Sequence, residues 1–469
     1  MRAFIKPMTL ISSISGTRGT IGGKPGENLT PNDAVAFAAA FAQFIKMESG
    51  KDQPTVVIGR DARPSGGWLS NLVSATLQAS GVHVIDLGLS TTPTVEVAVP
   101  GCTADGGIIL TASHNPIEWN ALKLLNSKGE FINAAQGASL LEMIQKQDFN
   151  YPDVTKTGQY RLENGWIEKH VEQILKMELV DVEAIKKANL SVAVDPVNST
   201  GAIAIPVLLK ALGVNNVKMI NGEPTGFFAH NPEPLKQHLT EICTLIQNEK
   251  VDLGIVVDPD VDRLALITEK GEMFGEEYTL VAIADYYMSE KPGPTVSNLS
   301  SSRALRNVTE KQGQHYEASA VGEVNVVAKM KEIGAVIGGE GNGGIIVPEL
   351  HYGRDSLAGI ALFLSYYVKK GQTMSELRAS YPHYEMAKNK VELKPGMNPD
   401  ELIKVMQDTY ANENLNTIDG LKIDFEHGWV HLRKSNTEPI IRIYTEADSK
   451  QAAEDLAKRF ETELMALVN

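Results

Sequence analysis

The sequence has little cysteine and no long hydrophobic run. Its 469 residues include two cysteines, Cys102 and Cys243, which are too few for a disulfide framework and fit a reducing compartment. The first residues lack the apolar segment of a signal peptide. The longest apolar run, Leu357 to Val368, is too short to span a bilayer. We therefore expect a cytoplasmic protein with no membrane partner, and we predict a buried helix for that run.

Positive charge is also scarce. The chain has 44 lysines and arginines against 58 aspartates and glutamates, which gives a net charge of -14 at pH 7. This acidic balance argues against a general nucleic-acid or membrane-surface binder. An anionic small molecule would therefore need a local cluster of Lys and Arg. The composition leaves the oligomeric state open between monomer and homodimer.

The chain is long enough for several domains. Strand-like runs alternate with amphipathic helical stretches in three successive modules, which is typical of α/β domains with parallel or mixed sheets. After about residue 375 the strands and helices segregate, which indicates a small α+β domain. The predicted domains are residues 1–158, 159–263, 264–373 and 374–469.

Three aspartates at every second position, Asp258, Asp260 and Asp262, are the most informative feature of the chain. In extended or turn backbone, residues two apart point the same way, so three like charges would crowd together between two apolar runs. A cation would relieve that repulsion, and oxygen ligands without His or Cys favour Mg²⁺ over Zn²⁺. An EF-hand calcium loop is disfavoured because Arg263 stands where its sharp turn needs Gly. A solvated acidic turn is the other alternative.

A second informative stretch surrounds Ser113. A buried strand runs into a turn that Asn115-Pro116 keeps from continuing as strand or helix. Ser113 is thereby placed at the tip of the turn, beside His114. Lys123 follows and can serve as a cation or proton carrier. An ordinary strand-to-loop turn explains the same pattern equally well.

Two stretches near the N-terminus suit phosphate contacts. Ser15 to Gly23 is a Gly-rich segment that contains Arg18, and such backbone can wrap an oxyanion, although Gly-rich segments are common. Gly59 to Gly66 follows a strand and opens a helix. Its Arg60 and Asp61 suit an architectural ion pair as well as a ligand contact.

Two later stretches suit a sugar phosphate. Gly338 to Gly344 is Gly-rich and contains Glu340 and Asn342, whose oxygens and amide can bind hydroxyls. A basic turn farther on combines cations, hydroxyls and an amide, which makes it a candidate oxyanion cradle rather than only a charged hairpin end. The cradle residues are Arg433, Ser435, Asn436, Thr437 and Arg442.

Taken in order, the motifs around Ser113, the three aspartates, Glu340 and Arg433 resemble those of the α-D-phosphohexomutases over essentially the whole chain. The resemblance implies an α/β fold of three similar α/β domains with mixed sheets plus a C-terminal α+β domain, around a central active-site cleft. It also implies an enzyme that moves a phosphoryl group between O6 and O1 of a hexose phosphate, its small-molecule partner. A hexose 1,6-bisphosphate would be the intermediate or activator.

The resemblance assigns roles to the candidate residues. Ser113 would carry the phosphoryl group and would bind Mg²⁺ together with the three aspartates. Catalytic roles in charge stabilisation and proton transfer would fall to Arg18, Lys123 and His114. Substrate contacts would come from Arg263, Glu340, Asn342 and the cradle residues, which would hold the phosphate that does not react.

The sugar itself is less well determined. The Gly-rich stretch from Gly338 to Gly344 corresponds to the sugar loop of the family. Many family members have Gly-Glu-Met-Ser-Gly-His in this loop, whereas here Asn342 replaces the Ser and Gly344 replaces the His. This form looks closer to phosphoglucosamine mutases of the archaeal type, so glucosamine 6-phosphate to glucosamine 1-phosphate is the preferred hypothesis. A phosphomannomutase or phosphoglucomutase is the alternative, followed by a sugar-phosphate-binding protein without turnover.

Overall fold

The computed structural model of the chain describes residues 8–13, 16–394, 396–435 and 439–468. Strands and helices alternate through three α/β modules and then give way to an α+β module. The described residues fall into two compact units. The first unit comprises the residues up to Thr279 together with Asn342–Ser375, and the second comprises Leu280–Gly341 together with the residues from Glu376 onward.

The first module is built on a seven-stranded mixed sheet. Its elements are β1 (Ile11–Ser13), β2 (Gly16–Thr20), α1 (Pro31–Ser49), β3 (Thr55–Arg60), α2 (Gly66–Ala79), β4 (His83–Leu89), α3 (Thr92–Gly101), β5 (Gly106–Leu110), β6 (Trp119–Leu125), α4 (Ala134–Lys146) and β7 (Tyr160–Leu162). The strand order is β1-β2-β6-β5-β3-β4-β7, with β3, β4, β5 and β7 parallel. A Cβ on Gly106 or Gly107 of β5 would lie within 2.7 Å of Ile45 or Val99. Both faces of the strand that leads to Ser113 are therefore tightly covered.

The second module carries the aspartate cluster. Its elements are α5 (Trp166–Ile174), α6 (Val182–Ala188), β8 (Ser191–Asp195), α7 (Gly201–Ala211), β9 (Asn216–Met219), α8 (Thr240–Glu249), β10 (Leu253–Val257) and β11 (Leu264–Thr268). The sheet order is β11-β10-β8-β9, with β11 antiparallel to β10 and the other strands parallel. Val257 pairs with Leu264, so residues 258–263 form the connection between two buried strands.

The third module follows the same alternation. Its elements are α9 (Glu276–Glu290), β12 (Thr295–Asn298), α10 (Arg303–Lys311), β13 (Tyr316–Ser319), α11 (Glu323–Ile333), β14 (Ile337–Glu340), β15 (Gly344–Ile346), α12 (Ser356–Lys370) and α13 (Met374–Ala379). Strand β12 pairs in parallel with β13 and β14. Helix α12 begins where the Asp355 side chain accepts hydrogen bonds from the backbone of Leu357 and Ala358 at 2.8 and 3.1 Å.

The fourth module is an antiparallel sheet with two helices. Its elements are β16 (Glu385–Glu392), α14 (Pro399–Thr409), β17 (Asn414–Asn416), β18 (Leu421–Phe425), β19 (Gly428–Lys434), β20 (Ile440–Ala447) and α15 (Lys450–Val468). The strand order is β16-β20-β19-β18-β17. Alternate residues of β20, Ile441 and Ile443, share a core with Phe460 and Leu464 of α15. This period-2 pattern leaves Arg442 on the opposite face of the sheet.

The predicted fold class is confirmed, with mixed sheets in the α/β modules and a C-terminal α+β module. The apolar run at Leu357–Val368 lies within α12, which is buried along most of its length. No helix among the described residues is both long enough and apolar enough to cross a membrane. The domain boundaries stay predictions.

Candidate active site

Ser113 lies where β5 ends in the first unit, and its backbone has a left-handed φ of 48°. The side chain of Ser113 is 7% exposed, so the turn at whose tip we expected this serine is buried. The Ser113 amide donates to Thr111 Oγ1 at 2.9 Å, and its hydroxyl donates to Asp258 Oδ2 at 2.6 Å. Such backbone costs roughly 1–3 kcal/mol and persists only where its surroundings enforce it. The fold therefore holds this hydroxyl against the aspartate loop.

A buried arginine that sequence reasoning missed holds the serine turn. Arg63 is 1% exposed, and its five guanidinium N–H groups have five acceptors. Nε donates to Asp61, one terminal nitrogen to the carbonyls of Ser113 and Asn115, and the other to those of Pro116 and Trp119. Arg63 thus bonds both ends of the turn at once.

The architectural ion pair considered as one alternative for Arg60 and Asp61 is not the one that forms, because Asp61 pairs with Arg63 at 2.9 Å. The Asp61 side chain also accepts from the Arg63 amide two residues on, a local turn that directs the later arginine inward. Thr111 Oγ1 donates to the same carboxylate at 2.7 Å. Burial raises the pKa of Asp61, and the Arg63 charge opposes that rise.

The three aspartates converge as predicted, and all are fully buried. One oxygen from each lies within 4.8 Å of the others. Burial, together with the charges of Asp262 and Asp260, raises the pKa of Asp258. The EF-hand alternative is excluded because strands flank the loop, and the solvated-turn alternative is excluded by the burial.

The residues present fit a hard divalent cation. Asp260 Oδ1 and Asp262 Oδ1 are buried and have no hydrogen-bond partner within the described ranges. A buried unpaired carboxylate oxygen is costly unless a metal or donor satisfies it. Asp258 Oδ2, the acceptor for Ser113, adds a third oxygen beside them. An all-oxygen donor set of this kind suits Mg²⁺.

Neighbouring elements clamp the aspartate loop. Thr92, the first residue of α3, donates its hydroxyl to Asp260 Oδ2 at 2.6 Å and its amide to the Asp260 carbonyl at 2.9 Å. Ser199 and Thr200 donate their hydroxyls to the Pro259 carbonyl at 2.7 and 2.8 Å. The loop is thereby fixed by both the first and the second module.

Two cations balance the aspartates. Lys123 Nζ lies 2.8 Å from Asp260 Oδ2 and 3.4 Å from Asp262 Oδ2, and Arg354 Nη2 lies 2.7 Å from Asp262 Oδ2. Burial lowers the pKa of Lys123, but the two carboxylates outweigh it and hold the pKa above its ordinary value. A third cation, Arg263, pairs with Glu233 instead, with its Nη1 3.3 Å from Glu233 Oε1.

His114 lies among several arginines. Burial lowers the pKa of His114 to about 2, and the positive charges of Arg263, Arg354 and Arg18 act in the same direction. Arg18 lies on β2, so most of the predicted Gly-rich loop is a strand. Its strand neighbour on β6 is Ala121, two residues from Lys123, which places Arg18 and Lys123 on the same face of the sheet. The first unit thus gathers the predicted catalytic and metal residues.

The sugar-loop residues occupy separate surroundings. Glu340 ends β14 in the second unit, where its Oε1 accepts from Asn298 Nδ2 at 3.0 Å and from the Gly322 amide at 3.2 Å. Asn342 lies in the first unit, and its side-chain oxygen accepts from the Gly344 amide at 3.2 Å. Glu340 is therefore held by the fold in a buried position at a strand end.

The basic cradle lies in the second unit. Arg433 on β19 pairs directly with Arg442 on β20, and Arg433 Nε lies 2.8 Å from Asp419 Oδ2. Like charges directly opposite across two strands repel, so an anion would stabilise this arrangement. Ser435 continues the turn, whereas Asn436 and Thr437 lie outside the described residues.

The residues of the first-unit site that escaped the sequence analysis include Arg63, Thr92 and Arg354. Only Arg63 lies in a stretch that the sequence had singled out. Thr92 looks like an ordinary first residue of a helix, and Arg354 a polar residue before a helix cap. Their contacts with the aspartate and serine loops are set by tertiary packing, for which a single sequence carries no local signal.

Comparison with known proteins accounts for these motifs. The phosphoglucomutase/phosphomannomutase family models match residues 12–151 as α/β/α domain I, 168–271 as domain II, 275–384 as domain III and 389–463 as the C-terminal domain. A phosphoglucomutase/phosphomannomutase of Thermococcus kodakarensis is 35% identical over 442 residues, or 93% of this chain and 96% of its own. A phosphoglucosamine/phosphogalactosamine mutase of Sulfurisphaera tokodaii is 33% identical over 450 residues, with coverage of 94% and 96%.

A solved structure agrees with both. The crystal structure of a phosphoglucomutase/phosphomannomutase family protein from Burkholderia thailandensis superposes with a TM-score of 0.83 at 25% identity and covers 97% of each chain. Family, relatives and fold thus agree across nearly the full length. The chain belongs to the phosphoglucomutase/phosphomannomutase family, the α-D-phosphohexomutases, and is an isomerase-type phosphosugar mutase.

Proposed function

We propose that the chain moves a phosphoryl group between O6 and O1 of a hexose phosphate through a phosphoserine at Ser113 and a hexose 1,6-bisphosphate. The observation that carries this proposal is the Ser113 hydroxyl 2.6 Å from Asp258, in a buried site where two further aspartate oxygens lack hydrogen-bond partners among the residues that the structure describes. Phosphoryl transfer depends on positioning and charge neutralisation. The Ser113 hydroxyl is fixed by a strained backbone beside carboxylates whose charge Lys123 and Arg354 balance, an arrangement suited to both requirements.

The steps balance with one serine. The free hydroxyl oxygen of the hexose monophosphate attacks the phosphorus on Ser113, a new P–O bond forms, and the bond from phosphorus to Ser113 Oγ breaks. The proton of the sugar hydroxyl ends on Ser113 Oγ. After the bisphosphate has turned over, Ser113 Oγ attacks the phosphorus of the other phosphate, the bond from that phosphorus to the sugar oxygen breaks, and the serine proton passes to that oxygen as Ser113 recovers its phosphoryl group. Mg²⁺ held by Asp258, Asp260 and Asp262 would neutralise charge on the transferring group. Lys123 lies beside these carboxylates as a fixed positive charge.

The remaining predicted residues have supporting roles in this proposal. Arg18 and His114 are candidates for charge stabilisation and proton transfer. Arg433, Arg442 and Ser435 provide the anion site for the phosphate that does not react. The juxtaposition of Arg433 and Arg442 supports this role, since a dianion would relieve their repulsion.

For the sugar, we propose glucosamine 6-phosphate, with glucosamine 1-phosphate as product. Gly344 removes the imidazole found at this place in many family members, and so removes a possible like charge near an amine at C2. The name of the Sulfurisphaera tokodaii relative, a phosphoglucosamine/phosphogalactosamine mutase, supports this choice. The name of the Thermococcus kodakarensis relative supports the alternative, glucose or mannose phosphates.

Mass spectrometry tests whether Ser113 is the nucleophile. The wild-type protein incubated with glucose 1,6-bisphosphate and Mg²⁺ should gain one phosphoryl group, which peptide mapping places on Ser113. Ser113→Ala should gain none and should lose nearly all mutase activity, while Ser127→Ala, a change at an ordinary turn, should behave as wild type. Phosphate release without any mutase product would instead support a phosphatase with Asp258 as nucleophile. Binding without turnover would indicate a sugar-phosphate-binding protein.

The sugar is tested by kinetics on glucosamine 6-phosphate, glucose 1-phosphate and mannose 1-phosphate. We expect kcat/KM for glucosamine 6-phosphate to equal or exceed the other two values. A preference of about tenfold, equivalent to about 1.4 kcal/mol, for glucose or mannose would refute the glucosamine assignment. It would leave the phosphoserine mechanism untouched.

A further inference from the structure

Arg354 reaches the aspartate cluster from the segment before helix α12. It is 8% exposed, and its Nη2 donates to Asp262 Oδ2 at 2.7 Å. Lys123 engages Oδ2 of Asp260 from another direction. In both carboxylates the cations therefore occupy Oδ2, and Oδ1 is the oxygen without a hydrogen-bond partner in the described part of the chain. The two cations select which oxygen stays available for a metal ion.

Gly344 lies under the side chain of Arg354. A Cβ at position 344 would lie 2.3 Å from Arg354 Cδ, closer than real Cβ atoms come to a neighbour, and 3.0 Å from Arg354 Cγ and 3.1 Å from Asn342 Oδ1, which are tight contacts. The backbone itself does not demand glycine here, because φ of Gly344 lies outside the left-handed region. Position 344 instead requires the absence of a side chain, because the aliphatic part of the Arg354 side chain packs directly against its backbone.

We propose that Gly344 and Arg354 act as a pair, in which the glycine opens the passage and Arg354 positions Asp262 for the metal ion and the transferring phosphoryl group. Arg354 is a positioning residue in this proposal, which rests on the proposed phosphoryl transfer. The pair also gives a physical reason for the glycine of the sugar loop. A side chain there and an arginine at 354 exclude each other sterically.

The geometry makes a specific forecast about coupling. Arg354→Ala removes both Cγ and Cδ and hence the clash with a residue at 344. Arg354→Met removes the guanidinium but keeps a side chain of similar course over Gly344. Gly344→Ala should therefore add little to Arg354→Ala, where only the 3.1 Å approach to Asn342 Oδ1 remains, yet should add its full effect to Arg354→Met. Residues that act independently would instead give additive effects in both backgrounds.

The first measurement is the thermal midpoint of the metal-free, substrate-free protein, which does not depend on activity. We expect Gly344→Ala and Arg354→Ala each to lower it, the double variant to match Arg354→Ala alone, and Gly344→Ala with Arg354→Met to lie below either single variant. The control is Gly67→Ala, where an added Cβ meets nothing within 4 Å. A crystal structure of Gly344→Ala should show Arg354 moved away from Asp262.

The second measurement is the single-turnover rate of Ser113 phosphorylation by glucose 1,6-bisphosphate at saturating Mg²⁺. Arg354→Ala should slow it about 10- to 100-fold, the range for groups that orient a metal ligand. Arg354→Lys should recover part of that loss, and KM for the monophosphate should change much less than kcat. An unchanged rate in Arg354→Ala, additivity of Gly344→Ala with Arg354→Ala, or Arg354 still on Asp262 in Gly344→Ala would each overturn the proposal. Absence of Ser113 phosphorylation in the wild type would refute the proposed function instead. The comparison of thermal midpoints in the metal-free single and double variants would still test the Gly344–Arg354 pair.

Discussion

Replacing Arg63 by methionine tests how strongly the serine turn is held. The substitution keeps an unbranched apolar arm of similar reach but removes the guanidinium, and so five hydrogen bonds, from a site that is 1% exposed. Asp61 then remains buried without its cation. Removing one partner of a buried ion pair costs about 3–5 kcal/mol. We therefore expect Arg63→Met to be among the more destabilising changes in the first module.

The assay is calorimetry of the metal-free, substrate-free protein, with the lowest unfolding transition followed, since a chain of two units need not unfold in one step. A loss of about 3–5 kcal/mol corresponds to a fall of roughly 6–20 °C for a domain of about 150–250 residues. Arg161→Met is the matched control, because Arg161 forms an exposed ion pair with Glu163 in the same module. Exposed pairs contribute about 0–1 kcal/mol.

A fall of less than about 3 °C for Arg63→Met, or one no larger than that for Arg161→Met, would refute the reasoning. It would mean that water or rearranged backbone satisfies the orphaned carbonyls and Asp61. The variant should also phosphorylate Ser113 slowly at a temperature where it is still folded, because the turn loses the group that joins its two ends. Equal phosphorylation rates would show that the β5 strand alone positions the serine.

Three further outcomes are expected. Asp260→Asn should raise the Mg²⁺ concentration needed for half-maximal activity about tenfold or more, because a charged ligand oxygen becomes a neutral one; a titration of rate against Mg²⁺ measures this. Burial lowers the pKa of His351, but Asp355 and Glu96 outweigh it and raise the pKa to about 10, so its stabilising charge is complete below pH 6.5 and is lost as pH rises through 10. The thermal midpoint of the wild type should therefore fall over this window more steeply than that of His351→Gln. Arg433→Ala should raise KM for the monophosphate and lower kcat, since remote binding energy positions the reacting end.

Two of these outcomes have a control variant in the chain. Lys434→Ala should leave both kinetic constants nearly unchanged, because Lys434 is exposed and pairs with Asp400. His315→Gln is the matched control for the histidine substitution, since His315 is exposed beside Glu317. Parallel pH profiles for wild type and His351→Gln would show that other groups govern stability on the alkaline side. Activity that survives exhaustive chelation would contradict the metal assignment.

The sequence was most informative where the functional residues lie close together in the chain. Asp258, Asp260 and Asp262 are separated by single residues between two apolar runs, and Ser113 follows a buried strand at an Asn-Pro turn. The apolar run Leu357 to Val368 and the segregated strands and helices after about residue 375 are local signals of the same kind. These features need only the chain's own neighbourhood, so a single sequence shows them.

The contacts that complete the site join residues far apart in the chain. Arg354 meets Asp262 across 92 positions, and Thr92 meets Asp260 across 168. Neither residue type is unusual where it stands, and the pairing arises only when modules pack. The same holds for Gly344, whose role is visible only once the side chain above it has been placed.

Val261, between two of the aspartates, has a left-handed φ of 64° and a fully buried side chain. A β-branched residue is poorly suited to that backbone, at a cost of roughly 1–3 kcal/mol. Glycine would relieve the strain but would give up apolar burial of similar size, about 1.5–3 kcal/mol. The folded state would be nearly as stable with either residue, yet only valine anchors the loop between its ligands. A stability measurement would therefore separate valine from glycine poorly at this position, and the property that valine provides there is low conformational freedom of the metal loop before any ligand arrives.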